Sequence, residues 1–177
     1  MEYDELMEVF ERVREHAWQS YVSTIDESLP LKMVQKELIE HKSEIYDLVY
    51  FYGRPKDTSL VIDELVHNYK ERYPGKRVFR MKARDITTIM CEKIIHNIFG
   101  PILTEHELSR CDLFVLEFLD TVAGYLATEE HLYGILDWLL EHHVQIVITG
   151  NMRIADMKKL APRICAQIDG GISCLVR

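Results

Sequence analysis

The chain has no paired cysteines, no excess of positive charge and no long apolar run, and each absence removes a class of function. Its four cysteines, Cys91, Cys111, Cys165 and Cys174, are scattered. Without a C-x-x-C pair they signal neither a zinc site nor a disulfide framework, and reduced, mostly buried thiols are expected. Lys and Arg total 21 against 29 Asp and Glu, a net charge of −8, so non-specific attraction to nucleic acid or to an anionic membrane is not expected. No apolar run approaches the roughly 20 residues of a spanning helix. The acidic start Met1-Glu2-Tyr3-Asp4-Glu5 lacks the basic region of a signal peptide, which makes a cytoplasmic location the expectation. Glycine is thin as well: 8 residues in all, with none between Gly53 and Gly75.

What is present is the profile of a globular domain, 47% hydrophobic and 28% charged in 177 residues, long enough to bury a substantial core without a staple. Five positive residues, Lys76, Arg77, Arg80, Lys82 and Arg84, cluster around one apolar stretch. They read as a solvated strand start and loop rather than a nucleic-acid surface, because no series of stacking aromatics accompanies them. Glu141-His142-His143 and Thr104-Glu105-His106-Glu107 contain metal-ligand types. Adjacent histidines diverge on a helix, so no metal is assigned; His142 and His143 fit a helix C-terminus and Thr104 a cap with Glu107. No catalytic triad is identifiable by spacing, and no catalytic residue is assigned.

Two parts are predicted. Residues 1–45 form an N-terminal helical segment packed on the core: Tyr3, Leu6, Phe10, Val13, Ala17 and Tyr21 make a stripe on a helix over 2–22, and a second helix runs over about 28–41. Residues 46–177 form an α/β core. Strands are expected at 47–52, 77–82, 112–116, 145–149 and 172–176, with helices at about 58–73, 84–98, 127–142 and 153–161. That alternation implies a three-layer arrangement, a mainly parallel five-stranded sheet with helices on both faces and ligands at the carboxyl ends of the strands.

At the first of those ends a phosphate-binding P-loop would be expected. Such a loop needs several glycines to turn backbone N–H groups onto the phosphates, a lysine for their charge and a Ser/Thr for magnesium. Between Tyr52 and Leu60 the chain has Gly53 alone, Pro55 without an N–H, and Asp57 where an anion would dock.

The order of pieces resembles the AAA+ domain of the bacterial replication initiator DnaA and its relatives, over residues 46–177. Leu48-Val49-Tyr50-Phe51-Tyr52-Gly53 resembles the strand into Walker A, and Arg77-Val78-Phe79-Arg80-Met81-Lys82-Ala83 the second strand. Asp112-Leu113-Phe114-Val115-Leu116-Glu117, with Ala123-Gly124 beyond, is similar to Walker B. Gln145-Ile146-Val147-Ile148-Thr149-Gly150-Asn151 is similar to the sensor-1 strand, and Leu160-Ala161-Pro162-Arg163-Ile164-Cys165-Ala166-Gln167-Ile168 to the arginine-finger helix.

The resemblance implies a degenerate nucleotide site. With one residue deleted from the loop, Thr58 falls at the lysine position and Ser59 at the magnesium-ligand position. Glu117 is the Walker B acid, followed by Phe118 where a catalytic carboxylate belongs. Asn151 keeps a polar sensor, and Gln167 stands where the trans arginine is expected, leaving Arg163. Gly53, Thr58, Ser59, Glu117 and Asn151 are thus the residues of a vestigial nucleotide site, without a bound cofactor. The chain ends at Arg177 after the fifth strand, so the family's helical lid and helix-turn-helix domain are expected to be missing. The implied function is that of a catalytically inactive DnaA-like core acting as a protein-interaction module that modulates replication initiation, its partner an initiator or a second copy of itself, with Arg163 and the basic segment as interaction residues. Two alternatives stay open: a nucleotide binder or slow ATPase with an unorthodox loop using ATP or ADP and magnesium, and a single-stranded DNA-binding accessory protein.

Overall fold

The computed structural model describes residues 34–36, 47–98 and 100–177. The helix predicted over 2–22 and most of that over 28–41 lie outside the described residues; residues 34–36 are helical, with Val34 buried. The core then runs β1 (Leu48–Gly53), α1 (Pro55–Arg72), β2 (Val78–Lys82), α2 (Ala83–Ile95), a short α3 (Glu105–Leu108), β3 (Leu113–Glu117), a 3₁₀ turn (Leu119–Val122), α4 (Leu126–Glu141), β4 (Gln145–Gly150), a second 3₁₀ turn (Ile154–Asp156), α5 (Pro162–Asp169) and β5 (Ile172–Val176).

The five strands pair in the order β2-β3-β4-β1-β5, and every pairing is parallel. Parallel sheets bury both faces of their inner strands, which is why β1, β3 and β4 read as continuous apolar runs. Val49, Phe51, Leu113, Val115, Val147 and Cys174 share one core with Ile62, Leu65 and Tyr69 of α1. On the other face Leu48, Tyr50, Phe114, Leu116, Ile146 and Ile148 pack with Ile86 of α2, Leu132, Leu136 and Leu139 of α4, and Ile164 and Ile168 of α5. The sandwich is therefore three-layered, and all strands deliver their carboxyl ends to one edge.

Three helices depart from expectation, of which α2 ends at Ile95 rather than 98. The helix predicted at 153–161 is instead the 3₁₀ turn Ile154–Asp156 and a further turn, and the helix proper starts at Pro162. Ile154, Met157 and Leu160 recur every three residues and are all buried, a spacing that serves successive tight turns as well as an α-helix. Pro162 then holds Ala161 in an extended conformation and takes the first helical position itself. Likewise α1 starts at Pro55 rather than 58, again a proline at a helix start.

Thr104 does cap α3: its Oγ1 accepts from the Glu107 N–H at 3.2 Å, and Glu107 Oε2 accepts from the Thr104 N–H at 2.7 Å. The Thr104 N–H, and the Thr104 hydroxyl donating to the same oxygen at 2.8 Å, hold the Glu107 carboxyl below its ordinary range. The cysteines are less uniformly buried than expected. Cys111 and Cys174 are buried and Cys165 is partly covered, but Cys91 on α2 is exposed. Burial pushes the Cys111 thiol up to about 11 and the Cys174 thiol up to about 12. Cys91 is thus expected to react first with Ellman's reagent at neutral pH, and Cys111 and Cys174 only once denaturant is added; prompt reaction of all four would contradict this packing. Among the described residues no helix is long and apolar enough to cross a membrane.

Candidate nucleotide-binding edge

A single residue, Arg54, separates β1 from α1. Its carbonyl accepts from the Asp57 N–H at 2.9 Å and the Thr58 N–H at 3.0 Å, and its Nε donates to Asp57 Oδ2 at 2.6 Å. Two N–H groups of the first helical turn are thus spent on the chain's own backbone, Pro55 has none, and the Asp57 carboxylate already complements the positive end of the helix. Thr58, which the resemblance aligned with the P-loop lysine, is fully buried, with its Oγ1 donating to the Pro55 carbonyl at 3.1 Å. Ser59 is partly exposed one residue on. Gly53 serves the sheet: it pairs with Val176 of β5, and a Cβ placed on it would lie 2.2 Å from the Val176 carbonyl oxygen.

At the end of β3, Glu117 is buried and held by Arg80 of β2 in a two-pronged contact, Nε to Oε1 at 2.7 Å and Nη2 to Oε2 at 3.1 Å. A third bond runs from Arg80 Nη1 to Asp63 Oδ1 on α1 at 2.6 Å. Hydrogen bonding to Glu117, more than to Asp63, raises the Arg80 guanidinium further above its ordinary pKa. Phe118 follows in the left-handed region, φ 61°, and its N–H donates to the buried Thr149 Oγ1 at 3.0 Å. That conformation is uncommon for a bulky side chain.

At the end of β4, the Asn151 N–H donates to Asp120 Oδ1 at 3.0 Å and the residue is exposed. The Tyr50 hydroxyl donates to the Met152 carbonyl at 2.6 Å, and burial raises its phenol pKa well above the ordinary value. Gly53, Arg54, Pro55, Asn151, Met152, Leu175, Val176 and Arg177 line an open cleft of about 680 Å³ along this edge. Of the residues singled out in the sequence, Gly53 and Asn151 meet there, whereas Thr58 turns into the core and Glu117 sits under Arg80.

The basic segment does not form one surface. Lys76 pairs with Asp112 at 2.6 Å, Arg80 is taken by two carboxylates, and Lys82 and Arg84 are exposed. Arg163 on α5 pairs with Glu130 of α4 and lies 4.5 Å over the Tyr133 ring, while Gln167 Nε2 is 3.4 Å from Asp137 Oδ1. The Arg163 hydrogen bond keeps the Glu130 carboxyl below its ordinary range. His142 does serve the end of α4, with Nδ1 2.8 Å from the Trp138 carbonyl, and His143 Nδ1 lies 3.4 Å from Asp47. Among the described residues no group of three or more His, Cys, Asp or Glu is placed to hold a metal ion. Sequence reading missed the contact from Arg80 to Glu117. Its signal was residue parity, since Lys82 is the register partner of Glu117 and Arg80 is two residues earlier on the same sheet face.

No family model and no curated protein matches the chain. Solved structures do: AMPPCP-bound DnaA from Aquifex aeolicus superposes with a TM-score of 0.74 at 17% identity, over 87% of this chain and 48% of that one. Domain III of the Thermotoga maritima replication initiation protein DnaA gives 0.74 at 12% identity, over 90% of this chain and 65% of that one. The chain has the fold of DnaA domain III. The three-layer fold with a parallel five-stranded sheet expected from the order of its pieces is therefore present. The chain spans about half the length of the longer DnaA structures it matches, 48% for the Aquifex protein. A crystal structure of the DnaC helicase loader also superposes on this chain, with a TM-score of 0.69 at 13% identity over 90% of this chain and 98% of that one.

Proposed function

We infer that this chain is a DnaA-like core that retains the scaffold without nucleotide turnover and acts as a protein-interaction module in DNA replication initiation. The observation that carries this reading is the junction of β1 and α1, one non-helical residue long, with Pro55 at the first helical position and Thr58 buried. A phosphate cradle requires a loop whose N–H groups converge on an anion, and this junction directs the Asp57 and Thr58 N–H groups to the Arg54 carbonyl instead. Phe118 after Glu117 supplies no carboxylate to orient water, Gln167 stands where the resemblance places the trans arginine, and the remaining Arg163 is engaged by Glu130 and Tyr133. A stabilising arginine is worth factors of about 10³ or more in phosphoryl transfer, so its loss together with the lysine and the acid removes the means of hydrolysis. A core of this shape docks head-to-tail on an initiator, or on a second copy, and caps or modulates assembly without contributing a catalytic arginine.

Calorimetric titration of ATP and ADP with magnesium is the test. No binding is expected at about 1 mM nucleotide. Dissociation constants in the micromolar range would overturn the reading in favour of a nucleotide binder with an unorthodox loop. The open cleft beside Gly53 and Asn151 favours this alternative. Affinity purification with replication proteins tests the partner: association with an initiator or helicase loader supports the assignment, and a chain that recovers no replication component argues against it.

A further inference from the structure

Glu117 closes β3 with 5% of its surface exposed, a placement in which an unpaired carboxylate is costly. One guanidinium satisfies it. Arg80 reaches across from β2 to both Glu117 oxygens and, with its remaining prong, to Asp63 on α1. Asp63 follows Ser59 by four residues and so lies on the same stripe of α1, one turn further along. In P-loop enzymes a magnesium ion joins these two elements, held by the hydroxyl residue that opens the helix and by the acid on the strand. Here the strand acid and the helix are joined by a side chain of the chain itself. Lys82, the register partner of Glu117, adds a second positive residue to the same sheet face.

We propose that Arg80 is a built-in cation, a guanidinium that holds α1 to the β2–β3 edge and neutralises Glu117 and Asp63 in the role a divalent metal ion plays in P-loop enzymes. The chain thereby keeps this seam closed with no metal or nucleotide, an inference that rests on reading it as a nucleotide-free core. The geometry separates this role from that of an ordinary surface ion pair, because three hydrogen bonds from one group engage two carboxylates on two different elements. Removing Arg80 leaves the two carboxylates it bridges without a counter-charge, and one or two carboxylates completed by water are enough to bind a small hard divalent cation.

Manganese(II) is the probe, followed by the paramagnetic resonance of the free ion and by thermal denaturation of the full chain. Wild-type protein is expected to leave the ion free up to about 1 mM, and Arg80→Met to bind one ion at least about tenfold more tightly. Adding Glu117→Gln to that variant is expected to abolish the gain. If Arg80→Met does not fold in metal-free buffer, manganese is expected to restore a cooperative transition where sodium chloride of equal ionic strength does not. Wild-type protein that binds manganese as tightly as the variant, or a variant that responds in neither signal, overturns the proposal. The nucleotide titration on wild-type protein fails or succeeds separately, so loss of this inference leaves the functional reading standing.

Discussion

Gly53→Ala is expected to lower folding stability by about 3 kcal/mol. The added Cβ would lie 2.2 Å from the carbonyl oxygen of Val176, a backbone atom of the strand that pairs with β1, so relief requires the two strands to part. A flexible side chain at that distance would step aside; a paired strand does not. Gly134→Ala is the matched control. Gly134 is an exposed residue inside α4 where an added Cβ would meet nothing within 4 Å, and its replacement is expected to raise stability by about 0.5–1 kcal/mol. Urea unfolding of both variants makes the comparison. Were Gly53 kept for phosphate contact, its replacement would weaken ligand binding and leave the ligand-free protein as stable as before. Unchanged stability of Gly53→Ala would therefore contradict the structural role assigned here.

Glu117→Ala is expected to destabilise the fold by about 2–3 kcal/mol, at or below the low end for breaking a buried charge pair. The moderating factor is water, since the Arg80 side chain remains 34% exposed and keeps its bond to Asp63. In a double-mutant cycle with Arg80→Met the two losses should fall well short of additive, because both substitutions remove the same contact. An acid reserved for a metal ion behaves in the opposite way: in the absence of metal its removal relieves repulsion and leaves stability level or higher. Thermal melts of the single and double variants in metal-free buffer separate the two cases.

Much of the fold was legible along the chain because the sheet is parallel and covered on both sides. The inner strands β1, β3 and β4 had to be apolar at nearly every position, and the five expected ranges match β1 to β5 to within one residue at either end. The misplaced helix at 153–161 shows the limit of periodicity: three-residue apolar spacing fits stacked tight turns and helices alike, and the proline at 162 marked where the helix truly begins. The candidate site was legible by residue type and illegible by contact. Thr58, Ser59, Glu117 and Asn151 could be placed by order, but Arg80 was grouped with Lys76 and Arg84 by proximity in sequence. Its partners are 17 and 37 residues away, and only the pairing of β2 with β3 and the crossing of α1 over that edge bring them within bonding distance.

The alternation of strands and helices, the dearth of glycine and the proline after β1 were all set along the chain, since they follow from local backbone preference and from which residues avoid water. What those residues do was set by packing. It closed Gly53 against β5, turned Thr58 into the core, laid Arg163 over Tyr133 and seated Arg80 on two acids. Nearly all of these are contacts between elements distant in the chain, and such contacts are fixed by sheet order and helix crossing, which no local preference encodes.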